Sequence, residues 1–519
     1  MKRSSGILLP VFSLPSPYGI GTLGQAAYQW VDFLARAGQR YWQVLPLGPT
    51  GYGDSPYQSF SVFAGNPYFI DPDRLVQEGW LTAQECQAAD CSCPAKLTEP
   101  PEAGSGGSAA DFMVNYADLY VKRYGLLLQA YRRFERLADP TQRQRFAAFC
   151  ADQADWLADY ALYFAIKRSQ KELPWTEWPQ PLRLREPAAL AQARAALQES
   201  VNFCSFMQFK FYEQWQNLKS YAHQAGLSLI GDLPIYAALD SADVWTHREL
   251  FQLDETARPL AVAGCPPDGF SADGQLWGNP LYRWDVMAQD GYAWWLRRLQ
   301  QSFDLCDVLR IDHFRGLESY YAIPFGEETA RQGRWVPGPG RAFVDALKQR
   351  FPHNNVIAED LGFLTDEVRD LLAYSGFPGM KVLEFAFDRR EKSDYLPYNY
   401  NKNCVVYTGT HDNATLAGWL QSADPQDAAY ARRYLGTRRH RGEHWDFIRL
   451  AQASVADLAV IPLQDYLGLG NEARINTPST LGGNWRWRLP DLSALSPQLA
   501  RQIARLTDLY GRGPVLEHR

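Results

Sequence analysis

Four carboxylates stand at the ends of short apolar runs: Asp232 after Leu227-Ser228-Leu229-Ile230-Gly231, Asp312 after Val308-Leu309-Arg310-Ile311, Glu359 after Val356-Ile357-Ala358, and Asp412 after Val405-Val406-Tyr407-Thr408-Gly409-Thr410-His411. Burying a carboxylate without a partner is costly, so packing explains such placements poorly. Any one of them could cap a helix or enter a salt bridge; four at successive strand ends point to a shared mouth. Several carboxylates with no metal motif suit glycosidic bond cleavage. One carboxylic acid protonates the leaving oxygen while another carboxylate attacks the anomeric carbon or activates water.

Two loop segments supply groups that suit a polyhydroxylated ligand. In Tyr52-Gly53-Asp54-Ser55-Pro56-Tyr57-Gln58-Ser59 and Gly274-Gln275-Leu276-Trp277-Gly278-Asn279-Pro280-Leu281-Tyr282, rings alternate with amides and hydroxyls between glycines and prolines. Aromatic faces can carry the C–H faces of sugar rings while the polar groups take the hydroxyls. The chain holds 17 Trp, 28 Tyr and 26 Phe, most of which the core must absorb, so the two segments weigh more than the totals.

Positioning these groups takes a scaffold whose strand ends converge. Candidate strands at 41–46, 68–70, 227–233, 308–312, 356–360, 381–387, 404–407 and 459–463 alternate with helix-like segments, which is the pattern of a parallel sheet with outer helices. Eight strands predict an α/β fold closed as a (β/α)₈ TIM barrel over residues 1–519. The second and third candidates lie too far apart for a simple crossover, so an insertion over 71–225 is expected. It begins with a Pro/Gly/Ser-rich stretch at 94–110, after which Phe112, Tyr116, Leu119, Tyr120, Leu127 and Tyr131 recur at helical spacing, so the insertion should be mostly helical. A second insertion at 240–284, rich in Gly, Pro and Asp, reads as loops over the barrel mouth.

The remaining features exclude more than they suggest. The chain has 519 residues, 46% hydrophobic and 21% charged, with net charge −6 and no Lys/Arg block, which disfavours nucleic acid or an anionic membrane surface as partner. No apolar run is long enough to span a bilayer, and Pro10 interrupts a start that imitates a signal peptide, so it reads as mature sequence. Gly19-Ile20-Gly21-Thr22-Leu23-Gly24 spells a dinucleotide fingerprint, but Pro10, Pro15 and Pro17 crowd its approach; a turn is expected, and a nicotinamide oxidoreductase has no other support. Phosphate-loop, H-E-x-x-H and EF-hand patterns are absent from the sequence. Cys86, Cys91 and Cys93 cluster, yet no His precedes His223, so free thiols in a loop are expected rather than a metal site. The eight cysteines include no C-x-x-C pair, which fits a reducing cytosol.

Taken in order, LPLGPTGYGDSPYQSFSVFAGNPYFI (45–70), GDLPIYAALDSADVW (231–245), PPDGFSADGQLWGNPLYRW (266–284), LRIDHFRG (309–316), IAEDLG (357–362), YTGTHDNAT (407–415) and NTPSTLGGNWRWR (476–488) resemble the 4-α-glucanotransferases, also called amylomaltases or disproportionating enzymes. These form glycoside hydrolase family 77 of the α-amylase clan. The resemblance runs along nearly the whole chain and implies a (β/α)₈ barrel with insertions and without a C-terminal β-sandwich. It implies that Asp312 is the nucleophile, Glu359 the general acid/base and Asp412 the transition-state stabiliser, with His313 and His411 on sugar hydroxyls. Arg310 lies two residues before Asp312, on the same strand face, and would hold that carboxylate ionised. Asp232 falls in the clan's first conserved region, where Pro234-Ile235-Tyr236 replaces the amylases' Asn-His pair, as in this family. Tyr57, Ser59, Trp277, Asn279 and Asn484 match positions that look like sugar contacts.

The implied reaction is a retaining double displacement on malto-oligosaccharides, amylose or related α-1,4-glucans, with glucose or another glucan as acceptor. It needs no metal and no cofactor, and a cytoplasmic monomer or homodimer is expected. A plain α-glucan hydrolase would use the same carboxylates, and a glucan-binding protein without activity would not need all three.

Overall fold

The computed structural model describes residues 2–89, 113–267, 272–353, 355–362, 364–390, 393–436 and 442–514. The 94–110 stretch, Cys91, Cys93 and Phe112 lie outside them. The strands are β1 (Ser4–Leu8), β2 (Tyr41–Gln43), β3 (Ser228–Leu233), β4 (Ala261–Cys265), β5 (Gln275–Pro280), β6 (Val308–Ile311), β7 (Ser319–Pro324), β8 (Arg334–Pro337), β9 (Asn355–Ala358), β10 (Gly379–Val382), β11 (Cys404–Tyr407) and β12 (Leu458–Pro462).

Eight of these strands run parallel in the order β10-β11-β12-β1-β2-β3-β6-β9. They are short and almost wholly apolar because both faces are covered, one by the barrel interior and the other by helices. At the seam between β9 and β10 the Ala358 N–H donates to Pro378 O over 2.9 Å and the Met380 N–H to the Asp360 carboxylate over 2.6 Å, which brings the ring to closure as a TIM barrel. Gly6 of β1 faces Tyr41 of β2, where a Cβ would sit 2.7 Å from Tyr41 Cβ, so only glycine permits that approach.

Outer helices return the chain between strands. Gln25–Arg36 lies between β1 and β2 and buries Trp30, Val31, Phe33 and Leu34, a stripe at helical spacing. Its Trp30 meets Trp42 of β2 edge-on, with ring centroids 6.3 Å apart. Deleting one such buried indole costs about 3–5 kcal/mol, a large part of any domain's margin. Gln198–Gln224, Ala293–Leu305, Gly340–Arg350, Asp366–Ser375 and Glu443–Ala453 follow in turn, and Pro497–Leu509 comes after β12. Under the barrel, Arg512 is fully buried and donates to the carbonyls of Ser4, Gln452, Ser454, Ala456 and Asp457, tying the last described turn to β1 and β12.

The barrel has eight strands as expected, but one member differs. Residues 68–70 fall in and just after a 3₁₀ turn, Pro67–Phe69, because Pro67 fixes its start and the Asn66 side chain caps the Tyr68 N–H over 3.0 Å. The eighth strand is instead Ser4–Leu8 at the leader-like start. Strand 381–387 is also shortened: Gly379–Val382 is extended, and Leu383–Phe387 is 3₁₀.

Between β2 and β3 the longest helices are Tyr116–Leu137, Ala154–Ser169 and Gln198–Gln224. Residues 240–284 are more ordered than a set of loops, with a helix Ala242–Thr246 and strands β4 and β5. These strands join β7 and β8 in a four-stranded antiparallel sheet, β5-β4-β7-β8, fed by the chain leaving β3 and β6.

Candidate active site

In a parallel barrel every strand delivers its C-terminal end to the same rim. Just past β3 and β6 the ladder continues: the Asp312 N–H donates to Leu233 O and the Glu359 N–H to Ile311 O, each over 3.0 Å. Asp312 and Glu359 therefore leave the rim side by side. Asp412 follows β11 on the Thr408–His411 turn, and Asp232 sits within β3.

Arg310 organises these acids. Its Nη1 donates to both Asp232 oxygens, at 2.7 and 2.8 Å, and to Asp312 Oδ1 at 3.0 Å. The spacing of two along β6 puts Arg310 and Asp312 on one face, as expected, but its tighter partner is Asp232 across the ladder. With the Asp232 side chain fully buried and that of Arg310 4% exposed, the ion pair sits in a low-dielectric floor where each charge requires the other.

The Tyr57 hydroxyl donates to Asp232 Oδ2 over 2.8 Å and lies 2.9 Å from His411 Nε2. A phenol has one proton, so giving it to Asp232 leaves Tyr57 to accept from Nε2–H, which fixes the His411 tautomer. His411 Nε2 also lies 3.4 Å from Asp412 Oδ1. Burial pushes the Tyr57 phenol up, with Asp232 adding to it, and pushes His411 down. Both are neutral hydrogen-bonding groups at neutral pH. Tyr57, His411 and Trp485 form one aromatic wall, with ring centroids 5.3 to 5.8 Å apart.

Glu359 accepts the backbone N–H of His313 over 2.6 Å and that of Leu361 over 3.0 Å. His313 adopts a left-handed conformation, φ +49°, a strained state for a non-glycine residue that turns its N–H toward Glu359. Its ring stands edge-on to Trp277 at 4.8 Å, and its buried Nε2 has no hydrogen-bond partner among the described residues. A buried polar atom without a partner suits a hydroxyl-bearing ligand. Burial and the nearby Arg315 push the His313 ring down to about 4.

Burial raises both the Asp312 and the Glu359 carboxyl, against the pull of Arg310 on each, and Asp232 and Asp412 push Asp312 further up. The two therefore titrate as a pair holding one proton over an intermediate range. The guanidinium hydrogen bond falls on Asp312, whereas Glu359 accepts only from neutral backbone donors, an asymmetry that favours the charge on Asp312 and the proton on Glu359.

Three of the expected contacts serve the loops. Asn484 accepts the Thr477 N–H over 3.0 Å and donates to Thr480 O over 3.2 Å, closing its own turn. Asn279 donates to Ala237 O and accepts from Gln58, at 3.0 and 3.1 Å, pinning β5 to the Tyr57 loop. Ser59 donates to Ser61 O over 2.8 Å. Two residues not singled out from sequence stand against Asp412: Asn476 Nδ2 donates to its Oδ1 and Arg474 Nη2 to its carbonyl, each over 2.6 Å. Only the position of Asn476 at the head of NTPSTLGGNWRWR hinted at this.

The Gly19–Gly24 turn faces protein. A Cβ on Gly21 would sit 1.8 Å from Val11 O and one on Gly24 1.9 Å from Asp71 Oδ2, so those glycines permit packing and leave no cradle for a pyrophosphate.

Residues 9–494 match the family described as 4-alpha-glucanotransferase. The chain belongs to that family. Among its relatives, the 4-alpha-glucanotransferase of Thermus thermophilus is 47% identical over 99% of both chains, and that of Clostridium butyricum 44% identical over 97% of this chain and 99% of its own. The solved structure of the Streptococcus agalactiae amylomaltase in complex with acarbose superposes with a TM-score of 0.92 at 38% identity, covering 99% of this chain and 100% of that one. The family's barrel is thus found here over its full length. No described helix is long and apolar enough to cross a membrane.

Proposed function

We propose that this 4-α-glucanotransferase works by a retaining double displacement in which Asp312 is the nucleophile, Glu359 the acid/base and Asp412 the stabiliser of the oxocarbenium-like transition state. The observation that carries the reading is Arg310 Nη1 joined to both Asp232 and Asp312, because it keeps one carboxylate charged beside another that is protonated. The ionised Asp312 oxygen attacks the anomeric carbon of an α-1,4-linked glucose unit as the bond to the leaving 4-oxygen breaks and Glu359 delivers its proton there. The glucosyl ester that results is then attacked by the 4-hydroxyl of glucose or another glucan, whose proton returns to Glu359. Atoms and charge are restored, and the anomeric configuration is retained.

Tyr57, Asp232, His313, His411 and Trp277 surround the reacting ring, neutral except for Asp232, and fix its hydroxyls. Ser59, Asn279 and Asn484 support the loops that hold those contacts. Residues 240–284 act as cover, since their strand β5 brings Trp277 against His313; water is kept from the ester and the acceptor wins. The helical 71–225 segment is an insertion in the barrel. The protein works in the cytoplasm on malto-oligosaccharides or amylose, as monomer or homodimer.

Incubation with maltotriose tests this. Shorter and longer oligomers should appear together with no net gain in reducing ends, and Asp312→Asn should bind glucan yet form no products. A steady gain in reducing ends would make the protein a hydrolase, and normal turnover by Asp312→Asn would remove its assignment as nucleophile.

A further inference from the structure

The turn that carries His411 and Asp412 rests on buried groups that the mechanism does not use. Asp465, 1% exposed, accepts the Thr408 hydroxyl over 2.6 Å and the Leu416 N–H over 2.8 Å, so it holds both ends of the turn. The Glu384 backbone N–H donates to Thr408 O over 3.1 Å. Its side-chain Oε2 is shielded from solvent without a hydrogen-bond partner among the described residues, and a Cβ on Gly409 would lie 3.4 Å from it. A second carboxyl group thus lies directly beneath the turn.

Arg474 joins this buried pair to the reacting centre. Its Nη2 donates to the Asp412 carbonyl over 2.6 Å and its Nε to the Asn476 carbonyl over 2.7 Å. Asn476 in turn donates its amide to Asp412 Oδ1 over 2.6 Å, and its N–H to His411 O over 3.0 Å. Backbone and carboxylate of Asp412 are therefore held from one side by one short segment. The Arg474 charge also opposes the rise of the Glu384 carboxyl.

We propose that Arg474 is a positioning residue for glucan transfer, fixing Asp412 directly and through Asn476, on a turn that the buried Glu384 and Asp465 carboxyls brace from the other side. The inference rests on the reading of Asp412 given above. Burial pushes Asp465 up to about 6 and Glu384, with Asp465 adding to it, up to about 8. Between those values the pair keeps one proton and presents one charge to Arg474. Above them it presents two, beneath a turn whose own titratable groups are a neutral His411 and the Asp412 carboxylate; the guanidinium is drawn down and Asp412 loosens.

A shift of about 1 Å in a catalytic group costs roughly a hundredfold in rate. Arg474→Met is therefore expected to lower kcat for maltotriose disproportionation about 10- to 100-fold with KM within about threefold of wild type, and Arg474→Lys, which keeps the charge, to lose less. For Glu384→Gln, the ratio of its kcat to that of wild type should rise about tenfold from pH 6.5 to pH 9, because only wild type gains the second charge. The ratio cancels the loss of the Glu359 proton, which both proteins share. Asp412→Asn is the control: if it retains activity, the reading of Asp412 has failed. If it is inactive while Arg474→Met keeps kcat within twofold, or raises KM in step with the fall in kcat, the clamp is overturned. Should Arg474→Met fail to fold, an Arg474→Lys variant that raises KM in step with its fall in kcat overturns it equally. A Glu384→Gln ratio constant within twofold overturns the role of the pair.

Discussion

Replacing Arg310 with methionine should disable the nucleophile without removing it. The guanidinium touches Asp312 Oδ1 at 3.0 Å and both Asp232 oxygens at 2.7 and 2.8 Å. Two unit charges about 4 Å apart at an effective dielectric near 20 interact by about 4 kcal/mol, and losing that attraction pushes the Asp312 carboxyl further up. A carboxyl raised in this way needs a higher pH to ionise, so the acid limb of kcat/KM moves up and activity at neutral pH falls by more than about tenfold. Arg310→Lys keeps the charge on a single ammonium that cannot match the fork geometry, and should fall between the two. The assay is glucose release from maltotriose across pH 4–9, with circular dichroism to confirm folding. A folded Arg310→Met variant within tenfold of wild type at pH 7, with its acid limb unmoved, would refute the reasoning.

Two further predictions follow from groups away from the nucleophile. His313, pushed down to about 4 by burial and Arg315, stays neutral across the working range, so the pH profile should show no inflection near the usual histidine value; one that vanishes in His313→Asn would contradict this. Arg512→Ala leaves several buried carbonyls at the barrel floor unpaired and should lower unfolding stability by more than about 3 kcal/mol in denaturant titration, while kcat of the folded enzyme holds within twofold.

The strand ends and their acids were legible because each carboxylate closes a short apolar run and a parallel barrel sends all such ends to one rim. The first barrel strand was not, because Ser4-Ser5-Gly6-Ile7-Leu8 has a weak strand pattern and gains its pairing only from β2 and β12, far along the chain. Tyr68 to Ile70 looked like a strand by composition, but Asn66 and Pro67 impose a turn that outweighs side-chain preference. Loop amides were ambiguous for a different reason. Asn484 and Asn279 have the chemistry of sugar contacts, and only the fold reveals that neighbouring carbonyls and amides already engage them. Arg474 and Asn476 meet Asp412 across more than 60 positions, a contact no local pattern announces.

Trapping the intermediate tests the central claim most directly. A 5-fluoro-α-glucosyl fluoride carries a good leaving group and slows the second displacement, so a glycosyl ester should accumulate on the enzyme. Peptide mass spectrometry of the labelled protein should find the sugar on Asp312. The sugar on Glu359, Asp412 or Asp232 instead would contradict the account.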